Sequence, residues 1–378
     1  MRTIMSFFVL SAPILALTLG LSVAPSSACT GIRATATDGT VIQARTLEFG
    51  MPLQSEAIFV PRGFARTGST PDGTPGMRWT SKYASVGANA FGLPVMLNGV
   101  NEKGLAVGLF YFPDMAEYMP YEAKDAGNTL SAIELGSYLL DNFANVDEVR
   151  AGVVRVVVPA VVLKQMGVSP GAHFLVMDAT GKSIVIEYTG GAPKIYDNRL
   201  GVITNCPTFD WHMTNLRNYV KMSPTLAPPL VVDDVIFESF GQGSGMLGLP
   251  GDYTPPSRFV RAVAYSQSME PASDGEQAVL AAFHVLNNFD IPRGSVRDGE
   301  KDTHGNIVCE ETQWTCACDL KAKRFYFRTY ENSQIRMIDL TAMNPNAAEI
   351  VTFSMQGNEN IESLVPPAGK ELAAAAHE

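Results

Sequence analysis

The stretch CTGIRATATDGTVIQARTLEF at residues 29–49 decides the fold. Two runs rich in β-branched and apolar residues, 30–36 and 40–48, flank the turn at Thr37, Asp38 and Gly39. Because Asp-Gly between two such runs is a strong turn signal, the stretch predicts a β-hairpin. The hairpin places Cys29 at the start of an edge strand and brings Arg45, on the returning strand, close to it.

The residues before this hairpin have the pattern of a cleavable signal peptide, 1–28. One charged residue, Arg2, precedes an apolar stretch at 7–23, and Ser26 and Ala28 are the small residues that signal peptidase requires. A membrane anchor needs about 20 apolar residues and a stop-transfer flank. The pattern therefore predicts cleavage between Ala28 and Cys29, and a periplasmic or secreted protein.

Cleavage at this point gives Cys29 a free α-amine, which leaves three interpretations of the residue. It is an ordinary secreted cysteine, a lipid-anchored cysteine or an N-terminal nucleophile whose own amine serves as the base. The second is disfavoured because Ser26 occupies the position where lipoproteins carry a branched apolar residue. The third is chemically sound, since an α-amine has a pKa of roughly 7.7–8.0 and accepts a proton near neutral pH.

The remaining elements alternate as blocks of strands and pairs of helices. This order, without regular βαβ units, predicts an α+β fold with antiparallel sheets. Further strands are predicted at 105–112, 173–177, 183–188, 194–196, 313–318 and 324–330. Helices are predicted at 131–143 with a Ser131–Glu134 capping box, at 147–152, at 258–265 after an N-cap at Ser257, and at 274–288.

Composition bounds the functional class. The 378 residues are 46% hydrophobic and 17% charged, as expected of a globular protein. The net charge of −10 argues against nucleic-acid binding, and no second stretch of membrane-spanning length follows the signal. Without repeats or a clear linker, we expect one domain at 29–343 and a loosely attached, polar and Ala-rich extension at 344–378.

Five cysteines allow one functional thiol together with up to two disulfides or several reduced thiols. Cys316 and Cys318 would share one face of a strand, and a bridge from Cys309 to either of them is the expected pairing in an oxidising compartment. A zinc site would also need His304, and this pattern is a weak metal signal. We therefore expect neither a metal nor another cofactor.

Four segments, taken together, carry a resemblance to a known family. They are 29–31 with 44–49, 101–113, 204–211 and 249–259. In this order and at these spacings the chain resembles, over nearly all of residues 29–330, the choloylglycine hydrolase family, which includes bile salt hydrolases and penicillin V acylases. The resemblance implies a four-layer αββα N-terminal-nucleophile hydrolase fold, with two stacked antiparallel sheets between helical layers. It also implies cleavage of linear carbon–nitrogen amides through a thioester.

The resemblance assigns three roles within the hairpin. Cys29 matches the nucleophile, and Arg45 matches a guanidinium beside it that would favour the thiolate form. Taken alone, Arg45 is better interpreted as part of a surface or strand-end salt bridge, and it is the motif that favours the catalytic role. Glu48 stands where the family usually has Asp, the carboxylate that orients the α-amine. This departure adds one methylene where catalytic geometry is demanding.

Three further roles come from the other segments. Asn205 resembles the side-chain amide that donates to the tetrahedral oxyanion, although an Asx turn ahead of Pro207 is a compatible role. Tyr111 falls at the family position whose backbone N–H would be the second donor to the oxyanion. Arg258 resembles the second arginine of the site.

An apolar acyl pocket is predicted beside these segments, although core packing is an equally good interpretation for each candidate. The candidates are Leu47, Met51, Leu53, Phe110 and Met115.

The substrate and the assembly remain open in the sequence. Conjugated bile acids, penicillin V and N-acyl homoserine lactones are all compatible, and Tyr111 favours the acylase side. Residues 221–251 resemble in length the excursion through which family members form tetramers, which suggests a homo-oligomer. The competing interpretation is a non-catalytic, secreted or lipid-anchored binding protein of the same fold.

Overall fold

The structure is a computed structural model that describes residues 28–301 and 307–364. The predicted signal segment, apart from Ala28, and the last part of the predicted extension lie outside the described residues. In chain order, the described strands are β1 (Cys29–Thr35), β2 (Val41–Phe49), β3 (Glu56–Val60), β4 (Ala65–Thr67), β5 (Arg78–Thr80), β6 (Ser85–Ala88), β7 (Asn98–Asn101), β8 (Ala106–Tyr111), β9 (Ala172–Met177), β10 (Ser183–Thr189), β11 (Ala192–Asp197), β12 (Leu230–Val232), β13 (Val235–Phe237), β14 (Val296–Lys301), β15 (Ile307–Asp319), β16 (Arg324–Thr329), β17 (Asn332–Asp339) and β18 (Val351–Ser354). The α-helices are α1 (Ala132–Asn142), α2 (Val146–Val153), α3 (Phe209–Asn215), α4 (Pro255–Ser268) and α5 (Gly275–Leu286).

The predicted hairpin is confirmed as β1 and β2. Its turn is closed by a hydrogen bond from the Thr40 backbone N–H to Asp38 Oδ1 at 2.8 Å, and Gly39 has a φ of 82°. The register sets Cys29 opposite Leu47 and Gly31 opposite Arg45. Because side chains alternate along a strand and opposed residues share a face, these four residues lie on one face of the hairpin.

Two antiparallel sheets are stacked in the middle of the fold. The six-stranded sheet has the order β1-β2-β15-β16-β17, with β14 pairing with β15, so β1 is an edge strand as predicted. The eight-stranded sheet has the order β11-β10-β9-β8-β7-β6-β3-β18. Apolar side chains of both sheets, including Phe110 and Trp314, form the core between them.

Helices cover the outer faces of both sheets. α4 and α5 pack against the strands at the β1 side of the first sheet, and α1 packs against β7, β8 and β9 of the second. α2 contributes to the same outer core as α1. The layers are therefore αββα, as the resemblance implied.

Helix starts follow local capping chemistry. The capping box of α1 is confirmed, with the Ser131 N–H donating to Glu134 Oε2 at 2.8 Å. The predicted N-cap of α4 at Ser257 is wrong, because Thr254 is the N-cap and Pro255 occupies the first helical position, which proline favours. Ser257 instead donates to Asp252 Oδ2 at 2.6 Å.

The expected disulfide is also wrong, because all five cysteines are free thiols. β15 runs without interruption from Ile307 to Asp319, farther than predicted, and includes Cys309, Cys316 and Cys318. Seven residues of extended strand separate Cys309 from Cys316 by roughly 23 Å, whereas a disulfide requires Cα atoms within about 7 Å. Residues on one continuous strand at this spacing cannot bridge.

The segment after residue 343 is less detached than expected. β18 pairs antiparallel with β3, with Val351 opposite Phe59, and forms one edge of the eight-stranded sheet. The predicted extension therefore contributes a strand to the fold before its undescribed end.

Two negative findings apply to the described ranges alone. None of their helices has the length and apolar character needed to cross a bilayer. Nor do these ranges bring together three or more His, Cys, Asp or Glu residues in a group that could hold a metal ion.

Candidate active site

Strand register brings Asn205 to Cys29 across 176 positions of sequence. Gly31 and Ile203 form an antiparallel bridge, with N–O distances of 2.8 and 3.1 Å, on the free edge of β1. Because the two segments run in opposite directions, the residue two before Gly31 faces the residue two after Ile203, so Asn205 faces Cys29. The Cys29 N–H donates to Asn205 Oδ1 at 2.8 Å.

Arg258, on α4, donates hydrogen bonds to both Cys29 and Asn205. Its Nη1 donates to the Cys29 carbonyl at 2.5 Å and to Thr30 Oγ1 at 3.0 Å, and its Nη2 donates to Asn205 Oδ1 at 2.7 Å. The side chain is 1% exposed. Burial lowers the pKa of Arg258, and the neighbouring Glu48 carboxyl group opposes that shift. The predicted second arginine thus contacts both the nucleophile candidate and the amide candidate.

The orientation of the Asn205 amide is fixed by its partners, because Oδ1 accepts from two donors while Nδ2 donates to the Tyr111 carbonyl at 2.7 Å. The Phe112 N–H points toward the β9 side, to Gly171 O at 2.9 Å, so the N–H and C=O of Tyr111 both point to the opposite edge of β8. β7 no longer runs beside Tyr111, since its last pair is Asn98 with Gly108. The Tyr111 N–H therefore lies on the same open edge as the Asn205 amide.

Arg45 is fully buried beneath the same edge. Its Nη1 donates to the Leu109 carbonyl and its guanidinium stacks on the Phe110 ring, 4.0 Å from the centroid. Gly31 makes this stack possible, because a Cβ there would lie 2.7 Å from Phe110 Cζ. Arg45 Nη2 is buried and has no hydrogen-bond acceptor within the described part of the chain.

Glu48 is the buried carboxyl group of the site. Its Oε1 accepts from Thr312 Oγ1 at 2.8 Å, and its backbone carbonyl lies 3.9 Å from Cys29 Sγ. Burial raises the pKa of Glu48 to about 8, against the opposing pull of the Arg258 and Arg45 charges. Since the buried Ala28 precedes Cys29, the Cys29 nitrogen is an amide here, and its N–H goes to Asn205.

An apolar cavity of about 50 Å³ opens on the Cys29 thiol, and we call it the thiol pocket. Leu47 and Leu53 line it as predicted, together with four of the six predicted catalytic residues, Cys29, Arg45, Glu48 and Tyr111. The full lining is Cys29, Arg45, Leu47, Glu48, Phe49, Leu53, Ala90, Phe91, Leu97, Leu109, Tyr111, Ile133, Leu163, Met166, Pro170 and Ala172.

Three of the predicted lining residues lie outside the thiol pocket. Phe110 is on the opposite face of β8 from Leu109 and Tyr111, and it packs beneath Arg45. Met51 packs against the core, and its carbonyl accepts from Gln313 Nε2 at 2.7 Å. Met115 is 37% exposed. Their places in the pocket are taken by residues from distant loops, chiefly Phe91, Leu163 and Met166.

Comparison with known proteins shows the family of the chain. Residues 29–353 match the linear amide C–N hydrolases of the choloylglycine hydrolase family. The chain belongs to this family. It is 32% identical over 327 residues to the bile salt hydrolase/transferase of Clostridium perfringens, a match that covers 86% of this chain and 96% of the relative.

Solved structures of relatives show the fold class of this chain. A variant of the conjugated bile acid hydrolase from Clostridium perfringens superposes with a TM-score of 0.78 at 30% identity, covering 89% of this chain and all of that one. The penicillin V acylase of Agrobacterium tumefaciens gives 0.70 at 25% identity, covering 87% and 92%. The expected N-terminal-nucleophile hydrolase fold and the enzyme class, a cysteine amidase, are confirmed.

Two buried histidines support the backbone at Thr204 and Asn205, and no sequence motif marks either histidine. His173 Nε2 lies 3.0 Å from Thr204 O, while its Nδ1 is 3.2 Å from Glu187 Oε1. His212 Nε2 lies 3.0 Å from Asn205 O, and burial lowers the pKa of His212 to about 4. The backbone on either side of the Asn205 amide is therefore held by imidazole donors.

Proposed function

We propose that cleavage after Ala28 yields a secreted or periplasmic amidase that hydrolyses N-acyl amides through a thioester on Cys29. The observation that carries the proposal is the convergence on Cys29 of Asn205, Arg258 and the apolar thiol pocket. Signal peptidase would then create the catalytic base by freeing the nitrogen that is now hydrogen-bonded to Asn205. An amine at this position accepts a proton near neutral pH.

In the first half-reaction the α-amine takes the thiol proton and Sγ forms a bond to the amide carbonyl carbon. The carbonyl electrons move to oxygen, where the second N–H of Asn205 Nδ2 and the Tyr111 N–H donate to the oxyanion. The C–N bond then breaks, and the leaving amine receives the proton from the α-ammonium. A thioester remains on Cys29.

The second half-reaction uses water in place of the thiol. The α-amine takes a proton from water, the hydroxide oxygen bonds to the thioester carbon, and the same donors hold the oxyanion. The S–C bond breaks, the acid leaves and the thiol is restored. The net reaction consumes one amide and one water molecule and yields one amine and one carboxylic acid.

The charged residues have supporting roles in this scheme. Arg45 places an unpaired N–H and a fixed positive charge at the thiol pocket, which favours the thiolate. Arg258 fixes the Cys29 carbonyl and the Asn205 amide relative to one another. Glu48 provides a buried carboxyl group whose charge would balance the α-ammonium.

The substrate class follows from the apolar thiol pocket, which fits an apolar acyl group. Conjugated bile acids and penicillin V are the named substrates of the relatives, and both are amides of such groups. We keep both, together with N-acyl homoserine lactones, as the substrates to be compared.

A homo-oligomer is part of the proposal, with a tetramer as the assembly to test first. The hairpin formed by β12 and β13 exposes apolar side chains on both strands, among them Leu230 at 63% and Phe237 at 56%. An exposed apolar patch of this kind is typical of an association surface. A second copy of the chain is the partner that we propose for it.

The test starts with mass spectrometry of the mature N-terminus, where a free Cys29 amine is expected. Hydrolysis of glycocholate, penicillin V and an N-acyl homoserine lactone is then measured side by side. Cys29→Ala should abolish all activity, whereas Cys309→Ser, a half-buried thiol remote from the pocket, should retain it. Activity in Cys29→Ala, or an acylated and diacylglyceryl-bearing Cys29, would contradict the mechanism, and the latter would favour the anchored binding protein.

A further inference from the structure

The thiol pocket is too small for the substrates that the proposed function requires. Its volume of about 50 Å³ holds one or two water molecules. Pockets for small-molecule ligands usually have roughly 300–1,000 Å³. An acyl group bound to Cys29 must therefore displace part of the lining and extend beyond it.

A second cavity, of about 400 Å³, lies directly beside the thiol pocket. It lies between the loops around residues 64–69, 93–95 and 161–165 and the start of α1. Ile133, Leu163 and Pro170 line both spaces, so these three residues form the partition between them.

Leu163 is the member of this partition that is placed to move. Ile133 belongs to the first turns of α1, and Pro170 is fixed by a hydrogen bond from the Tyr118 hydroxyl to its carbonyl at 2.6 Å. Leu163 instead begins a half-exposed turn, closed by its N–H donating to Val168 O at 2.9 Å and by the Gly167 N–H donating to Leu163 O at 2.8 Å. Gly167 has a φ of 71°, which suits a tight turn.

The second cavity suits the far end of a long acyl group. Trp79, Leu93 and Val161 give it apolar walls. The charge of Arg66 is already balanced, because its Nε donates to Asp141 Oδ2 at 2.7 Å. An aliphatic chain can therefore enter while the ion pair of Arg66 with Asp141 stays in place. Arg66 Nη2 has no hydrogen-bond partner among the described residues before any chain enters, so entry costs it none.

We infer that the acyl chain passes from Cys29 across Leu163 into the second cavity, so that the enzyme selects amides of long acyl groups. This inference rests on the proposed function and adds a chain-length specificity to it. The rotation of Leu163, with the neighbouring Met166, opens the passage. Short acyl groups occupy the thiol pocket alone and gain nothing from the second cavity.

The kinetic test uses N-acylglycines from butanoyl to dodecanoyl and the mature enzyme. Val161→Trp fills the second cavity without touching the thiol pocket, so kcat/KM should fall about tenfold for dodecanoylglycine and stay within about twofold for butanoylglycine. Leu163→Ala should raise the dodecanoyl value. Val154→Trp, at an exposed site away from both cavities, is the matched control. Equal losses at every chain length in Val161→Trp would overturn the inference.

A binding test separates this inference from the proposed function. Trp79 lines the second cavity, and bromine quenches the fluorescence of an indole that it contacts. With Cys29→Ala, dodecanoylglycine brominated at its terminal carbon should quench this tryptophan, and the quenching should disappear in a Trp79→Phe variant. The brominated butanoyl compound should not quench it. Because this readout needs no turnover, absent quenching overturns the inference alone, whereas a wild-type enzyme inactive on every substrate contradicts the proposed function.

Discussion

The hairpins β1–β2 and β12–β13 are both built mainly from apolar and β-branched residues, but the first is buried and the second is exposed to solvent. The first is covered by α4 and α5 on one side and by the eight-stranded sheet on the other. The second leaves Val231 60% and Ile236 62% exposed. Burial explains why Arg45 Nη1 and Glu48 Oε1 of the first hairpin have specific hydrogen-bond partners, since an unpaired buried polar group is costly. The second hairpin, exposed on both strands, is suited to association.

The largest expected effect comes from removing the Asn205 amide, which hydrogen-bonds both to Cys29 on β1 and to Tyr111 on β8. Asn205→Ala deletes the acceptor for Cys29 and Arg258 and the donor to the oxyanion, so kcat should fall about 100- to 1,000-fold with little change in KM. Steady-state kinetics of the mature enzyme measures this. Asn198→Ala is the control, because that buried amide binds backbone groups away from the site, at Val202 and Gly201. A similar loss of kcat in both variants would argue against a role for Asn205 in the transition state.

A smaller effect is expected from crowding the same hairpin. Gly31→Ala places a Cβ 2.7 Å from Phe110 Cζ and 2.8 Å from Ile203 Cγ2, which should cost about 1–3 kcal/mol of unfolding free energy. Urea denaturation measures the change. Gly127→Ala is the control, since nothing lies within 4 Å of its added Cβ. If the two variants lost equal stability, close packing at Gly31 would not explain the result.

The buried carboxyl of β2 should make stability depend on pH. The pKa of Glu48 is raised from 4.5 to about 8, so the folded chain retains a proton that the unfolded chain releases. The unfolding free energy should therefore fall as pH rises through this window, by at most about 1.4 kcal/mol per pH unit. Glu48→Gln should remove that slope when measured between about pH 5 and 7.5 in a form that retains Ala28. The exposed Glu270→Gln should keep the wild-type slope, and a Glu48→Gln variant that also kept it would contradict the assignment.

The smallest effect on stability should come from the exposed hairpin. Phe237→Asp should change the unfolding free energy by less than about 0.5 kcal/mol, because its side chain is not part of the core. It should nevertheless shift the assembly to monomers in sedimentation equilibrium. Val220→Asp, 79% exposed and outside the hairpin, should leave the mass unchanged. An unaltered mass in Phe237→Asp would remove the hairpin from the proposed interface.

Local signals in the sequence were sufficient to predict most of the strands and helices. Asp38-Gly39 and the Ser131–Glu134 box each specify a turn or a helix start through neighbouring atoms, and the structure contains both. The N-cap at Ser257 failed because the two prolines before it already begin the helix. The predicted cysteine pairing is wrong because β15 is longer than the strand predicted at 313–318 and holds Cys309 on the same strand as Cys316 and Cys318.

Features that depend on distant parts of the chain could not be predicted in the same way. The register of β8 with β9 decides which face of β8 points at the thiol. The sequence does not show this register, and it predicts Phe110 where Leu109 lines the pocket. Leu163 and Met166 reach the pocket from a loop with no motif of its own. His173 and His212 support the Asn205 segment through its backbone carbonyls, and a contact of that kind leaves no pattern in the sequence.

The uneven environments of the five thiols have a practical consequence for chemical labelling. Burial raises the pKa of Cys206 and Cys316 to about 12, and it raises that of Cys318 as well, so these three sulfurs remain protonated and unreactive at neutral pH. Replacing the half-buried Cys309 by serine then leaves Cys29 as the one cysteine thiol that a small electrophile should alkylate. The stoichiometry of uptake would count competent molecules in a preparation without any knowledge of their substrate.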